Sequence, residues 1–212
     1  FRRLAESGDV VATYWLGKCC YMGIGVEKND ADAARYYREA SEANLPAATR
    51  AWGEHRLYGI GVEKDEADGA NLLCAAADRG DASAMCALGM CYRLGVGVDK
   101  DDEEAYERYR QAAERSEPTG TMMLGQYYLT GSGGVEKDET RAFEWFRKAA
   151  DVGGLFTPTY VGWAYRGGVG VERDKAKELA WYRKAAELGD ATAQNLIGVC
   201  YYNGRGVEED QV

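Results

Sequence analysis

Glycine-rich loops are the first feature of this sequence that could do chemistry. The stretch GIGVEKND at residues 23–30 is similar to a phosphate-binding loop, whose backbone amides surround an anion at the start of a helix. Related stretches read GIGVEKDE, GVGVDKDD, GSGGVEKDE, GVGVERDK and GRGVEEDQ. A nucleotide site needs one such loop rather than six, and neither GxxxxGK(S/T) nor GxGxxG occurs. We therefore interpret these loops as connectors between helices.

Cysteine and histidine are the other residue types that could react or bind a metal. The six cysteines show no CxxC spacing of the kind that zinc sites use. Cysteines that lie two repeating segments apart exceed the ~7 Å Cα separation that a disulfide allows, so we expect free thiols, which are typical of a reducing compartment such as the cytoplasm. His55 is the single histidine, and we expect it to be packed and hydrogen-bonded rather than a catalytic base. SxxK, GxSxG and calcium-loop patterns are absent. We expect no enzyme activity, no metal and no cofactor.

Composition and charge narrow the class of protein. The 212 residues are 46% hydrophobic and 29% charged, which is ordinary for a soluble folded chain, and the net charge is −9. Binding to nucleic acid or to anionic lipid is driven by Lys and Arg, so this balance disfavours both partners. No apolar run approaches the 18 or more residues of a membrane-spanning helix.

A repeat of about 36 residues organises the chain, and such a period is typical of a helical solenoid. The loops end at glycines separated by 36, 36, 37, 36 and 36 residues: Gly25, Gly61, Gly97, Gly134, Gly170 and Gly206. We predict one solenoid with full repeats at 12–47, 48–83, 84–119, 120–156 and 157–192. Residues 1–11 would end a preceding repeat and residues 193–212 would form a partial one. We expect the chain to be part of a longer array or complex.

Each repeat is predicted to contain two helices. Apolar residues at positions 1, 4, 5, 8, 9 and 12 form one face of the first helix. Gly23 and its equivalents would end that helix in the left-handed conformation. The second helix would begin at a polar N-cap, namely Asn29, Asp65, Asp101, Asp138, Asp174 and Asp210.

Small and large residues are expected to interlock between these helices. A glycine ladder in the first helix (Gly17, Gly53, Gly89, Gly125, Gly162 and Gly198) would face Tyr37, Leu73, Tyr109, Phe146 and Tyr182 of the second. Glu178 departs from the pattern, because the other repeats have Ala or Gly at its position, so repeat five should pack with a local adjustment. Among the thiols, Cys19, Cys91 and Cys200 share an inward position, whereas Cys74 and Cys86 should face outward.

These patterns resemble the Sel-one-like repeat, a relative of the tetratricopeptide repeat. The resemblance is carried by AMCALGMCYRLGVGVDKD, AFEWFRKAADVG and AWYRKAAELGDATA, and it covers essentially the whole chain. It implies an all-α fold, a right-handed α-α superhelix of antiparallel helix pairs, used as an adaptor for protein complexes. The paired cysteines of the family's cysteine-rich branch do not recur here.

Positions 3, 7 and 10 of each first helix lie opposite its core face, and related superhelices use this face as a concave groove. Tyr, Trp, Met, Leu and Arg are common there, and these types are enriched at binding hot spots. The predicted partner-binding residues are Tyr14, Lys18, Tyr21, Arg50, Leu57, Met90, Arg93, Met122, Leu129, Trp163, Arg166 and Tyr202. The alternative is that these side chains only cover neighbouring helices.

The predicted function is a non-catalytic scaffold that binds a partner protein or peptide in this groove. One alternative is RNA binding, as in pentatricopeptide arrays, which the acidic charge disfavours. A less favoured alternative is binding or hydrolysis of β-lactams, which has been linked to the cysteine-rich branch and for which no activated serine is present.

Overall fold

The computed structural model describes residues 1–154 and 157–204, and this part of the chain forms twelve helices and no strand. The chain divides into two compact units, Phe1–Arg108 and Tyr109–Val212. The helices are α1 Arg2–Glu6, α2 Val10–Met22, α3 Asp30–Glu42, α4 Pro46–Tyr58, α5 Glu66–Asp78, α6 Ala82–Leu94, α7 Asp102–Glu114, α8 Pro118–Thr130, α9 Glu139–Asp151, α10 Thr157–Gly167, α11 Lys175–Glu187 and α12 Ala191–Tyr202. The predicted all-α, α-α superhelix class is confirmed.

Within each unit, the helices pack in chain order. In the first unit, α2 packs on α3 and α4 on α5, and α3 and α5 also contact the first helix of the next repeat. In the second unit, α8 packs on α9 and α10 packs on α11. There, α9 also contacts α10 and α11 also contacts α12, the first helices of the next repeats. No helix in the described ranges is long and apolar enough to cross a membrane.

Acidic and amide side chains begin the second helices, as predicted. Asn29, Asp65, Asp138 and Asp174 each accept a hydrogen bond from the backbone N–H three residues later, at 2.9–3.0 Å. Asp101 accepts from the N–H groups of Glu103 and Glu104. Each such bond satisfies a helix-terminal donor and contributes about 1 kcal/mol. The equivalent Asp210 lies outside the described residues.

Left-handed glycines end the first helices, also as predicted. Gly23, Gly59, Gly95 and Gly131 adopt φ values of 70–71°, and Gly168 follows with 74°. The connector between α8 and α9 has one residue more than the others, and Asp138 still caps α9 at its end.

In three connectors the second glycine, Gly61, Gly97 or Gly170, lies against the backbone of the preceding repeat. An ideal Cβ on Gly61 would lie 2.1 Å from the carbonyl oxygen of Asp30, and one on Gly170 would lie 1.9 Å from that of Glu139. Only a residue without a Cβ fits this approach, so these glycines fix how closely a connector packs on its neighbour.

Large rings fill the space that the glycine ladder leaves. An ideal Cβ on Gly125 would meet the ring of Phe146 at 2.6 Å, and one on Gly162 would meet the ring of Tyr182 at 2.4 Å. In the first unit, Gly17 stands against Tyr37 in the same manner. The large-against-small packing is therefore confirmed for these three pairs, whereas an ideal Cβ on Gly53 would meet the backbone of Gly69 and the Cβ of Leu72 rather than the side chain of Leu73.

Glu178 is buried in the position where other repeats have Ala or Gly, with 2% of its surface exposed. Its carboxylate accepts a hydrogen bond from the Cys200 thiol at 3.6 Å and lies 4.0 Å from Nε of Arg166. The adjustment predicted for repeat five thus includes polar partners from α10 and α12.

All six cysteines are free thiols. Cys91 and Cys200 are buried as predicted, and Cys19 is half-buried. The outward position predicted for Cys86 is wrong, because its side chain is 7% exposed, and Cys74 is half-buried.

Candidate functional site

We call the surface formed by repeat positions 3, 7 and 10 of the first helices the first-helix face. In the first unit it includes parts of α2, α4 and α6. Tyr21 and Met90 are exposed there, at 39% and 40%. Tyr14, Lys18, Arg50 and Arg93 are half-buried on the same helices.

Leu57 departs from its predicted place on this face, since it is 3% exposed. The reason is the close approach of α4 and α5 in this repeat. An ideal Cβ on Gly53 would lie 3.0 Å from the carbonyl oxygen of Gly69, and one on Gly69 would lie 2.7 Å from the backbone nitrogen of Leu57. These two facing glycines let α4 and α5 approach closely, so Leu57 is buried in the hairpin. It does not belong to the candidate site.

A groove of about 330 Å³ opens between α2 and α4. The side chains that line it are Tyr14, Lys18, Tyr21, Met22, Tyr37, Arg50, Ala51, Glu54, His55, Tyr58 and Ile60. Four of these residues, on α2 and α4, belong to the predicted set. The groove is at the lower end of the size range of ligand pockets, so it suits one or two side chains of a partner.

Aromatic rings form a continuous row behind this groove. Trp15 contacts Tyr14 with ring centroids 5.7 Å apart, and Tyr14 contacts Tyr37 at the same separation. His55 then lies 5.0 Å from Tyr37 and 5.4 Å from Tyr21, with its ring edge-on to both. Offset and edge-to-face pairs of this kind hold rings in fixed positions, so the wall of the groove is preorganised.

His55 supplies an uncharged part of that wall. It is 3% exposed, and its Nδ1 lies 2.7 Å from the carbonyl oxygen of Ile60. Because a carbonyl only accepts, Nδ1 carries a proton and donates it to this oxygen. Burial lowers the pKa of His55 below its ordinary value, against the smaller opposing effect of the Ile60 bond. The predicted role of a packed histidine is confirmed.

Arg50 already has carboxylate partners within the protein. Its Nη1 donates to Glu54 at 2.9 Å, and its Nε lies 3.3 Å from Asp81, the residue that caps α6. The second unit contains the same relationship, because Thr159, at the equivalent position, donates to the capping residue Asp190 at 2.5 Å. Position 3 therefore ties one first helix to the start of the next, and Thr159 is buried rather than exposed.

Lys18 has a different environment. Its Nζ lies 4.8 Å from the ring centre of Trp15, and no carboxylate within the described ranges comes within ion-pair distance of it. The groove thus contains two cations: Arg50, which carboxylates neutralise, and Lys18, whose Nζ lies over a tryptophan ring and has no carboxylate partner among the described residues.

The first-helix face of the second unit contains both half-buried and exposed side chains. Met122 and Leu129 are partly buried and pack against the core cluster of α9 and α10, so these two side chains do cover a neighbouring repeat. Trp163, Arg166 and Tyr202 are exposed, with 41% of Trp163 and 91% of Tyr202 accessible.

Trp163 is held in place although it is exposed. Its ring is edge-on to Tyr160 at 5.2 Å, and Tyr160 in turn stacks on Phe146 at 5.4 Å. The Trp163 ring therefore presents an apolar surface, and because its side chain is already restricted, little conformational entropy would be lost on binding.

Sequence reasoning missed repeat position 11. Met22, Tyr58 and Leu94 occupy it in three successive repeats, and each is 56–57% exposed. The signal was available, since three large apolar residues recur at a spacing of 36 at the end of the first helix. Tyr58 and Met22 both line the groove.

A second cavity, of about 420 Å³, lies beside the buried carboxylate of Glu178. Arg166, Arg173 and Lys175 surround it, together with Asp174 and Tyr165. In the described ranges no group of three or more His, Cys, Asp or Glu side chains is arranged to hold a metal ion.

Comparison with known proteins gives a consistent result. The Sel1 repeat family model matches residues 10–45, 46–81, 82–117, 118–154, 159–190 and 191–212. A search of curated proteins found no match.

Solved structures with the same architecture include two at more than 30% identity. A Sel1 repeat protein from Oxalobacter formigenes is 33% identical with a TM-score of 0.87, over 95% of this chain and 82% of that one. The protein c5321, described as a protective antigen of uropathogenic Escherichia coli with an SLR fold, is 34% identical with a TM-score of 0.83. That match covers 99% of this chain, which spans only 44% of the length of c5321.

A putative Sel1 repeat protein from Klebsiella pneumoniae has a TM-score of 0.60 at 21% identity, over 92% of this chain and 94% of that one, and shares the fold.

Proposed function

The chain belongs to the Sel1 repeat family, and we propose that it is a non-catalytic scaffold that binds a partner protein through the first-helix faces of its two units. The observation that carries this proposal is the groove between α2 and α4, where Tyr14, Tyr21 and Tyr58 meet at one surface. Aromatic side chains that are held rigid and stay accessible are typical of binding hot spots.

Exposed apolar residues also occur on the first-helix face of each unit. Met90 on α6 and Leu94 at the end of that helix are 40% and 56% exposed in the first unit. In the second, Trp163 and Arg166 are both exposed on α10, and Tyr202 is almost fully accessible. Single exposed apolar residues are ordinary, but a set that recurs on successive first helices favours a binding face.

The hydrogen-bonding and ionic groups of the faces favour binding over catalysis. His55 is neutral and committed to the Ile60 carbonyl, and Arg50 is committed to Glu54 and Asp81. A general base or nucleophile needs a partner arranged to accept or supply its proton, and neither group has a free role of that kind.

Site-specific photocrosslinking tests the proposal. p-Benzoylphenylalanine is placed at Tyr21, Met90 or Trp163, and at Tyr36 or Trp145 on second helices as controls. In native extract, we expect the three first-helix sites to crosslink one common protein, identified by mass spectrometry, and the controls to give none of it.

The identified partner is then purified and its affinity measured by calorimetry. We expect Trp163→Ala or Tyr21→Ala to weaken binding 10-fold or more, which corresponds to about 1.4 kcal/mol, while Trp145→Ala leaves the affinity unchanged. Circular dichroism checks that helicity is the same in all three variants. Equal affinity for all of them would contradict the proposal.

A further inference from the structure

The charges of the groove between α2 and α4 indicate what kind of segment it would accept. Arg50 is neutralised by Glu54 at 2.9 Å and Asp81 at 3.3 Å. His55 adds no charge, because burial lowers its pKa below the ordinary value, and its ring is 3% exposed against the aromatic wall. Lys18 remains as the one cation of the groove lining that has no carboxylate within 4.0 Å among the residues described.

These charges favour an acidic side chain in the groove over a basic one. A basic side chain entering the groove would have to take Glu54 from Arg50, which would leave a half-buried guanidinium with one partner fewer. An acidic side chain would meet Lys18 without breaking any pair in the groove. Charge-assisted hydrogen bonds of this type contribute more than neutral ones, especially where the surroundings are apolar.

The other side chains that line the groove favour an apolar residue near the acidic residue of the segment. Tyr14, Tyr37 and Ala51 belong to the same packed cluster, and Tyr58 and Met22 complete the rim. A cavity of about 330 Å³ with these walls suits a Leu, Phe or similar side chain. Successive residues of an extended segment are about 3.3–3.6 Å apart, so the acid and the apolar residue would be close neighbours in sequence.

We propose that the α2–α4 groove recognises an extended segment of the partner protein in which Asp or Glu lies within three residues of a large apolar side chain, with Lys18 pairing the carboxylate. This rests on the proposed scaffold function and specifies the partner's chemistry at one place on the first unit.

Peptide display tests this specificity without knowledge of the natural partner. A phage library of random 12-residue peptides is selected against three purified proteins: the unchanged chain, Lys18→Glu and the control Lys148→Glu. Lys148 is on α9 of the second unit and, like Lys18, lies over a tryptophan ring, at 4.6 Å from the Trp145 centre. We expect the unchanged chain and the control to enrich Asp or Glu beside Leu, Phe, Tyr or Trp.

The Lys18→Glu protein is expected to lose this acidic enrichment and to select Lys or Arg in its place. One selected acidic peptide, labelled with fluorescein, is then titrated by fluorescence anisotropy. Its affinity should fall at least 10-fold on Lys18→Glu and stay unchanged on Lys148→Glu, and it should weaken as salt rises from about 0.05 to 0.5 M.

Each other outcome overturns the inference. Enriched peptides without an acid, an acidic preference that survives Lys18→Glu, or no enrichment by the unchanged chain would all contradict an acidic segment at Lys18. The photocrosslinking experiment is independent of these selections. A common crosslinked partner together with a failed selection would leave the scaffold function standing and remove its assigned specificity.

Discussion

Gly61 of one connector approaches Asp30 of the preceding repeat so closely that a methyl group at position 61 would lie 2.1 Å from the Asp30 carbonyl oxygen. The same relationship joins Gly97 to Glu66 and Gly170 to Glu139, in each case 31 residues apart. The second glycine of the GxGV loop therefore serves packing between repeats, in addition to its positive φ.

Replacing Gly61 by Ala is expected to destabilise the protein strongly. Gly25→Ala is the matched control, because Gly25 has nearly the same φ, 69° against 67° for Gly61, but no described atom within 4 Å of its Cβ position. The left-handed conformation alone costs a residue with a Cβ about 1–2 kcal/mol. Urea denaturation should show that loss for Gly25→Ala and a further loss of about 1–3 kcal/mol for Gly61→Ala, because the backbone must move. Equal losses would show that the contact with Asp30 is unimportant.

The glycine ladder predicts a graded series of stabilities. The ideal Cβ meets a ring atom at 2.4 Å for Gly162, 2.6 Å for Gly125 and 3.0 Å for Gly17. Overpacking costs about 1–3 kcal/mol, whereas Ala in a helix gains about 0.5–1 kcal/mol over Gly. We expect Gly162→Ala to be the most destabilised, Gly125→Ala to follow and Gly17→Ala to be near neutral in thermal unfolding. A reversed order would rule out ring contact as the cause.

His55 predicts a dependence of stability on pH. Burial lowers its pKa in the folded state below the ordinary value of 6.5, so the unfolded chain binds a proton more readily. The free energy of unfolding should therefore be highest above pH 6.5 and fall as the pH drops from there towards the folded-state pKa. His55→Cys, which has the residue type of the equivalent positions 19, 91 and 200, removes this ionisation. The difference in unfolding free energy between the two proteins should change between pH 7.5 and 5.5, and a constant difference would contradict the assignment.

Glu178→Met is expected to leave stability unchanged or to raise it by about 1 kcal/mol, since an apolar residue of similar size avoids burying a carboxylate. Arg166 stays accessible to water, so removing the carboxylate does not leave a buried, unpaired charge. Glu187→Met, exposed on the same helix, is the control and should shift the unfolding free energy by less than about 0.5 kcal/mol. A loss above about 2 kcal/mol in Glu178→Met alone would show that the carboxylate stabilises α10, α11 and α12 together.

The thiols should differ in their rates of alkylation. Cys91 is 2% exposed, and burial raises its pKa to about 11, so it holds little thiolate at pH 8. Cys19 and Cys74 are half-buried. With iodoacetamide and peptide mass spectrometry, modification of Cys19 or Cys74 should precede that of Cys91 at least 10-fold in the folded protein. In 8 M urea the rates should converge, and early modification of Cys91 would contradict its burial.

The second-helix caps and the left-handed glycines could be predicted from sequence because both depend on local geometry. Asp65 accepts from Asp68 and Gly59 adopts a positive φ whatever surrounds them, since the helix end itself creates the need. The fold class follows from these signals and the 36-residue period.

The candidate site could be predicted only in part, because exposure depends on how far apart neighbouring helices lie. Tyr21 and Leu57 share one repeat position, yet one is exposed and the other buried, since Gly53 and Gly69 bring only α4 and α5 together. Arg50 and Thr159 occupy repeat position 3, which periodicity places on the open face, but their polar groups reach a capping carboxylate of the next repeat. Periodicity along a single helix contains no information about that contact.

The longer connector between α8 and α9 has a practical consequence. The extra residue leaves the cap at Asp138 intact, with the N–H of Arg141 at 2.9 Å, so helix register there does not depend on loop length. An epitope tag or a fluorophore-labelled cysteine spliced in beside Ser132 should therefore be tolerated. Such a handle would allow immobilisation of the protein through a connector rather than through one of its helices.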